Sequence, residues 1–218
     1  MTTRVGVVLS GCGFKDGGEI HESVLTLLAL DRAGAEVHCF APDVDQAKVV
    51  NHLTGEPVEE TRNVLVESAR IARGEIKDLS EAKADDLDAL VLPGGFGAAM
   101  NLSDFAVKGS DGTVNPTLAK LLRDMHAQKK PIGAICIAPA TVALALGSEK
   151  PTLTIGNDAG TAQAIEACGA SHQDCPVDDF VVDRERRIVT TPAYMLGPSI
   201  RHIAAGIDRC VAEVLSMA

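Results

Sequence analysis

The stretch Pro131-Ile132-Gly133-Ala134-Ile135-Cys136-Ile137-Ala138-Pro139 decides the fold class of this chain. Its apolar first half has the composition of a buried strand, and the sequence from Ala138 onward is typical of a helix. A sharp turn between the two exposes the Cys136 side chain and directs a helix N-terminus towards it. Because backbone N–H groups and the helix dipole stabilise an anion there, this pattern predicts a nucleophile elbow with a thiol of lowered pKa. The alternative is a buried cysteine with only a structural role.

Strand and helix patterns alternate on both sides of this stretch, which is typical of parallel βαβ units. The sequence predicts strands at residues 4–9, 36–41, 89–92, 131–135, 152–155, 180–182 and 188–191. It predicts helices at residues 19–33, 63–73, 115–129, 158–168 and 199–215. Because no repeat, low-complexity tract or linker divides the chain, we expect a single α/β domain over residues 1–218.

The composition restricts the class of protein further. The chain is 46% hydrophobic but only 3% aromatic, so its core must consist of aliphatic side chains, as in sheets covered by helices on both faces. A net charge of −10 argues against nucleic acid or an anionic membrane as the main partner. Because we see neither a membrane-spanning apolar run nor a leader before the first strand, we expect a cytoplasmic protein.

Three loops that follow predicted strands form the expected site. Ligands of open α/β sheets bind beyond the carboxyl ends of the strands, where the strand order reverses. This rule brings together residues 10–22, the loop Pro93-Gly94-Gly95-Phe96-Gly97 and the Cys136 turn. Glycines let backbone N–H groups approach a ligand closely, so Gly95 and Ile137 are the candidate donors of an oxyanion hole. An ordinary glycine-rich turn is the alternative.

Glu22 is the carboxylate that the first loop brings towards Cys136. It lies in the first turns of a predicted helix, where a glutamate is usually a surface residue that complements the helix dipole. If it points into the site, its protonated form can donate a hydrogen bond to the thiolate, and its ionised form can act as a general base. None of the six histidines has the setting of a triad base. The further candidates for the pocket are Gly94, Cys12, His21 and His52.

No pattern in the sequence indicates a cofactor or a metal. The glycines of residues 10–19 do not fit the spacing of a dinucleotide-binding loop, and no Gly-Lys-Ser/Thr follows the second glycine-rich loop. The six cysteines are not spaced like zinc ligands, and we expect reduced thiols. Asp178 and Asp179 are an isolated pair, which is more often a turn than a metal site. We therefore expect neither a cofactor nor a bound metal.

Longer motifs add a resemblance to a known family. They are SGCG at residues 10–13, GEIHE at 18–22, NHLTGE at 51–56, TRNVL at 61–65, LPGGFGAA at 92–99, CIAPA at 136–140, LTIG at 153–156 and VTTPAYML at 189–196. Together they resemble the ElbB family, within the PfpI-type, class I glutamine amidotransferase-like superfamily. The resemblance covers essentially the whole chain. One segment departs from the superfamily pattern, because residues 153–158 contain no histidine after the strand.

The resemblance implies a flavodoxin-like three-layer sandwich with a mostly parallel central sheet, commonly as a homodimer. It also implies that Cys136 is the elbow nucleophile and Glu22 its carboxylate partner. ElbB proteins, named for enhancing isoprenoid biosynthesis, are described as glyoxalases that convert glyoxal to glycolate without glutathione or a metal. The same activity is also interpreted as deglycation. The implied partner is thus a small dicarbonyl substrate.

The expected activity is therefore that of a cofactor-independent glyoxalase, a lyase of the hydro-lyase type. In this scheme the Cys136 thiolate attacks glyoxal, the N–H groups of Gly95 and Ile137 hold the oxyanion, and Glu22 moves a proton between the carbons. The main rival is a non-enzymatic redox-sensing or regulatory module linked to isoprenoid biosynthesis, whose thiol oxidises reversibly. Two others are an amidase-type or pathway role through a partner protein, and an α/β domain that has lost its chemistry.

Overall fold

The computed structural model describes residues 2–197 and 199–218. Its strands are β1 (Arg4–Val8), β2 (Glu36–Ala41), β3 (Ile76–Asp78), β4 (Ala89–Leu92), β5 (Ile132–Ile135), β6 (Thr152–Leu153), β7 (Ser171–His172), β8 (Val181–Asp183) and β9 (Ile188–Thr191). Its α-helices are α1 (Ile20–Arg32), α2 (Val64–Ile71), α3 (Phe96–Met100), α4 (Phe105–Lys108), α5 (Pro116–Ala127), α6 (Ala138–Leu146), α7 (Ala159–Ala167) and α8 (Ile200–Ser216).

Seven of the strands form one sheet in the order β3-β2-β1-β4-β5-β9-β8. All neighbours pair in parallel except β8, which runs antiparallel to β9 at the edge. The strand order reverses between β1 and β4, since the chain first adds β2 and β3 on one side of β1 and then continues on the other. This is the point at which α/β sheets bind ligands. The mostly parallel α/β sandwich expected from the sequence is confirmed.

Two hydrophobic cores, one on each face of the sheet, complete the three layers. Successive side chains of a strand point to opposite faces. Accordingly, Val8, Leu90 and Leu92 pack with helices α3 to α7, whereas Val7 and Val91 pack with α1, α2 and α8. All five side chains are fully buried. Burial on both faces explains why these strands appear in the sequence as continuous apolar runs rather than alternating ones.

The structure also departs from the predicted elements. The strand predicted at residues 152–155 is only Thr152–Leu153, and it pairs with Ser171–His172 in a separate two-stranded sheet. The short elements β3, α3 and α4 were not predicted. Each has three to five residues, too few for a periodic pattern to emerge. Within the described ranges, every helix is too short or too polar to cross a lipid bilayer.

Candidate active site

Four loops meet at the carboxyl edge of the sheet, one after each of the neighbouring strands β1, β4, β5 and β9. The first leads into α1 and carries Glu22, and the second contains Gly94 and Gly95. The third is the Cys136 turn between β5 and α6, and the fourth contains Tyr194. The sheet order therefore brings together segments that are far apart in the sequence.

Cys136 occupies a sharp turn in a strained conformation. Its φ angle of 62° lies in the left-handed region that non-glycine residues rarely adopt. Its N–H donates to the carbonyl of Thr191 at 2.9 Å, which ties the turn to the end of β9. Helix α6 begins directly afterwards at Ala138. Such strain costs about 1–3 kcal/mol and persists only where the surrounding structure holds it, as it often does at functional sites.

Glu22 is not a surface residue but lies fully buried beneath this turn. One carboxyl oxygen accepts the N–H of Gly94 and the other accepts the N–H of Tyr194, both at 3.1 Å. The carboxyl group also shares a hydrogen bond with the Cys136 thiol. Burial raises the pKa of Glu22 from 4.5 to about 8, and the charge of Glu19 adds to the effect. The carboxyl group is therefore mostly protonated at neutral pH.

The Cys136 thiol is buried as well, and its pKa is raised well above its ordinary value. Burial is the main cause and the charge of Glu22 adds to it, while the N–H groups of Gly95 and Ile137 donate to the sulfur and oppose the shift. The lowered thiol pKa predicted from the helix N-terminus is wrong for this resting state. The N–H groups of Gly95 and Ile137 do lower the thiol pKa, as the prediction assumed, but the loss of water around the sulfur raises it by more.

Gly94 is the point where the two reactive side chains converge. A Cβ atom placed there would lie 2.5 Å from Cys136 Cβ and 2.6 Å from Glu22 Oε2. Both distances are far shorter than a van der Waals contact, so no side chain fits. At Gly95 the backbone has a φ of 96°, which favours glycine. Because glycine has no side chain, the backbone of this loop can lie directly against the thiol and the carboxyl group.

A cavity of about 350 Å³ opens above the thiol. It is lined by Phe14, Glu19, Gly95, Phe96, Cys136, Ile137, Thr161, Tyr194 and Met195. Sequence reasoning missed most of these side chains. Tyr194 carried the clearest signal that could have found it, because it is the single tyrosine of the chain and follows a predicted strand. Its hydroxyl lies 2.7 Å from Nδ1 of His21.

The structure separates the remaining candidates from the thiol. Cys12 lines a different groove, between α1 and α2. His21 reaches the cavity only through Tyr194, and His52 packs edge-on against Phe14 with ring centroids 5.4 Å apart. None of the six histidines, all within the described ranges, lines the cavity. The described residues also include no group of three or more His, Cys, Asp or Glu placed to bind a metal ion.

A cysteine at a strand-to-helix turn on the carboxyl edge of such a sheet defines a class I glutamine amidotransferase-like α/β protein. The model of the DJ-1/PfpI family matches residues 12–193, and the chain belongs to this family. Among solved structures, an isoprenoid biosynthesis protein with an amidotransferase-like domain from Ehrlichia chaffeensis has a TM-score of 0.93 at 40% identity, covering 99% of both chains. The superfamily resemblance identified from the motifs is confirmed.

Curated relatives extend the comparison. The chain is 48% identical to the rat protein named "ES1 protein homolog, mitochondrial", over 98% of this chain and 84% of the relative. It is also 48% identical to the human "Glutamine amidotransferase-like class 1 domain-containing protein 3, mitochondrial", over 98% of this chain and 83% of the relative. The zebrafish "ES1 protein, mitochondrial" is 33% identical over 99% of this chain and 86% of the relative.

These names contradict the cytoplasmic location expected from the sequence, because all three relatives are called mitochondrial. That prediction is wrong. It relied on seeing neither a membrane-spanning apolar run nor a leader in the sequence, and neither criterion identifies a compartment. The compartment is instead set by address segments that the fold does not require.

Proposed function

We propose that this protein is a glyoxalase that converts glyoxal to glycolate without glutathione. The observation that carries the proposal is the buried pair of Cys136 and Glu22, with the N–H groups of Gly95 and Ile137 directed at the sulfur. A thiol, a proton acceptor and two fixed donors within one cavity are the groups that addition to a carbonyl requires.

The first step uses the proton that the pair shares. The neutral pair holds two protons, one on the Glu22 carboxyl group and one on the Cys136 sulfur. When the pair loses one of them, the remaining proton is shared between the carboxyl group and the sulfur, so the two groups titrate as a pair. When that proton lies on Glu22, Cys136 is a thiolate that the N–H groups of Gly95 and Ile137 stabilise. The thiolate attacks one carbonyl carbon of glyoxal, the carbonyl π electrons move to oxygen, and Glu22 returns its proton to that oxygen. The product is a hemithioacetal and an ionised Glu22.

The second step moves hydrogen between the two carbons. Glu22 removes the C–H proton of the hemithioacetal carbon and delivers it to the neighbouring carbon, while the hydroxyl proton passes from the first oxygen to the second. One carbon is oxidised and the other reduced, so no external oxidant or reductant is needed. The resulting glycolyl thioester is hydrolysed by water, which releases glycolate and restores the thiol.

The burial of Cys136 favours this enzyme over the redox-sensing alternative. Oxidation to sulfenic acid follows thiolate character and exposure, and here burial raises the thiol pKa. A sensor would gain from an accessible, ionised sulfur. An enzyme can keep the thiol neutral at rest and ionise it through Glu22 when an aldehyde occupies the cavity.

Steady-state glycolate production from glyoxal tests the proposal. We expect saturable turnover that falls at least about 100-fold in both Cys136→Ala and Glu22→Gln. Cys12→Ala is the matched control, since it removes a partly exposed thiol outside the cavity and should retain wild-type turnover. The wild-type kcat/KM should rise with pH towards about 8, the pKa of Glu22. Slow, linear glyoxal consumption that survives Glu22→Gln would show only a reactive thiol.

Two further expectations remain proposals. We propose a single domain over residues 1–218 and a homodimer in solution. Light scattering on the purified chain would give a mass near 45 kDa for the dimer, which is about twice the 22.7 kDa of the chain, and a single cooperative unfolding transition would support one domain.

A further inference from the structure

We propose that the preferred substrates of this site are uncharged 2-oxoaldehydes that carry a planar apolar substituent, with phenylglyoxal as the simplest aryl example. This inference rests on the proposed glyoxalase reaction and specifies its substrate class. Three features of the cavity support it, namely its volume, the aromatic side chains at its wall and the charges around it.

The cavity is much larger than glyoxal requires. Glyoxal has four non-hydrogen atoms and fills about the space of two water molecules, or roughly 60 Å³ at about 30 Å³ each. The cavity above Cys136 measures about 350 Å³, within the range of about 300–1,000 Å³ typical of pockets for larger ligands. A substituent of phenyl size would therefore fit beside the dicarbonyl group and displace water from the wall.

Aromatic side chains are concentrated at this cavity. The whole chain has five Phe, one Tyr and no Trp, yet Phe14, Phe96 and Tyr194 all line this one space. Phe14 and Phe96 are 45% and 50% exposed, although burying a phenylalanine is favourable by about 1.5–3 kcal/mol. Exposed aromatic side chains around a nucleophile form a surface on which a planar apolar group can stack.

The charges near the cavity disfavour an anionic substituent. The described lining includes no lysine or arginine, while it does include the acidic residue Glu19. Two lysines outside the lining are placed over its aromatic rings, with Lys15 Nζ 5.6 Å from the Phe14 centroid and Lys48 Nζ 5.8 Å from that of Phe96. A carboxylate on the substrate that reaches Glu19 would meet no lysine or arginine among the described lining residues, so a neutral substituent is favoured there.

The chemistry is the same for a substituted aldehyde. The thiol adds to the aldehyde carbon, Glu22 transfers the C–H proton to the ketone carbon, and hydrolysis of the thioester gives a 2-hydroxy acid. Phenylglyoxal plus one water therefore yields mandelate. Arginine side chains that react with phenylglyoxal form no mandelate, so mandelate formed in excess of a protein-free control reports the enzymatic path.

The ratio of kcat/KM for phenylglyoxal to that for glyoxal tests the inference. We expect this ratio to fall about tenfold in Phe96→Ala, the loss typical of removing a hydrophobic wall, and to recover partly in Phe96→Leu. Comparing this ratio between wild type and Phe96→Ala cancels the different intrinsic reactivities of the two aldehydes, which are the same for both proteins. Val107→Ala, at a residue that is 82% exposed and does not line the cavity, is the control and should leave the ratio unchanged. We also expect 4-carboxyphenylglyoxal to be used less well than phenylglyoxal.

Binding measurements separate this inference from the proposed reaction. Acetophenone keeps the aryl ketone but lacks the aldehyde, and its contact with the protein can be followed by saturation-transfer NMR. We expect binding to wild type and Cys136→Ala but not to Phe96→Ala. Glyoxal turnover together with an unchanged ratio in Phe96→Ala would overturn the inference and leave the glyoxalase intact. Absence of turnover together with Phe96-dependent acetophenone binding would overturn the reaction and leave the aryl site standing.

Discussion

Replacing Glu22 with glutamine should flatten the pH dependence of the free energy of unfolding of this protein. The pKa of Glu22 is raised from 4.5 to about 8 by burial. Between these values the folded state holds a proton that the unfolded chain has released, so the unfolded state gains as the pH rises. The stability associated with the neutral carboxyl group is therefore complete below about pH 4.5 and is lost progressively up to about pH 8. Glutamine has no proton to lose and should show no such decline.

The magnitude follows from the width of this pH window. Each pH unit inside it changes the free energy of unfolding by about 1.4 kcal/mol, so two units from about pH 5.5 to 7.5 correspond to about 3 kcal/mol. With a urea m-value of about 3 kcal/mol/M, the midpoint of unfolding moves by about 1 M. Both carboxyl oxygens of Glu22 accept backbone N–H groups. In Glu22→Gln the NH₂ group of the amide must face one of these two N–H donors, which leaves that donor without an acceptor. This loss should lower the free energy of unfolding by about 1–3 kcal/mol at every pH.

Urea unfolding followed by circular dichroism at several pH values provides the assay. The difference between wild type and Glu22→Gln cancels every group that titrates equally in both proteins. We expect the variant to be clearly less stable at about pH 5.5 and to approach or exceed wild type by about pH 8. Glu60→Gln, at an exposed residue in a surface ion pair with Arg62, is the control and should follow wild type. Parallel curves for wild type and Glu22→Gln would refute the argument that a neutral carboxyl group is buried beside the thiol.

Three shorter predictions concern the same region. Gly94→Ala should lower glyoxal turnover at least about 100-fold, because its Cβ would lie 2.5 Å from Cys136 Cβ. Gly160→Ala is the control and should retain activity, because the atom nearest to a Cβ at that position lies 3.6 Å away. Equal losses in the two variants would contradict the steric argument. Asn101→Ala removes three hydrogen bonds of 2.9 Å that connect separate loops, and calorimetry should show a melting temperature lower by about 5 °C or more. Iodoacetamide should modify Cys136 at neutral pH at least about tenfold more slowly than free cysteine, and the rate should rise with pH, because the raised thiol pKa leaves little thiolate. Rapid labelling of Cys136, detected by peptide mass mapping, would show an ionised thiol instead.

The strands of the central sheet could be predicted because burial on both faces leaves a continuous apolar run in the sequence. The predicted ranges 36–41, 89–92 and 188–191 coincide with β2, β4 and β9. Prediction failed where an element has little apolar surface of its own. Strand β3 has three residues, none of which is buried, and its position depends on pairing with β2 rather than on any pattern that it carries.

The residues around the thiol could be predicted where a strand leads directly into them, as for Cys136, Ile137 and Gly95. Tyr194 and Thr161 could not, because their approach to the cavity depends on how distant segments pack. The direction predicted for the pKa shift of the Cys136 thiol was also wrong, since the sequence predicted a lowered pKa and burial raises it. A helix N-terminus is visible in the sequence, whereas the loss of water around the sulfur exists only once the surrounding loops are in place.

Cys12 is a second thiol whose surroundings could not be predicted from the sequence. Like Cys136 it follows a strand of the central sheet, and the sequence therefore makes it a further candidate for the pocket. The loop that carries Cys12 is shaped by Gly11 and Gly13, with φ angles of 110° and 140°. These turns direct the thiol to the groove between α1 and α2, and only the folded loop reveals that direction.

The convergence of four loops at Cys136 has a consequence for how the chain is made. During synthesis Cys136 leaves the ribosome well before Tyr194, whose segment supplies the backbone donor to Glu22 and part of the cavity wall. Domains fold as units once enough chain has emerged, so the thiol remains accessible to electrophiles and oxidants until β9 joins the sheet. The extent of Cys136 alkylation on ribosome-bound chains of increasing length would therefore time the closing of the sheet, with protection appearing only after the segment around Tyr194 has emerged.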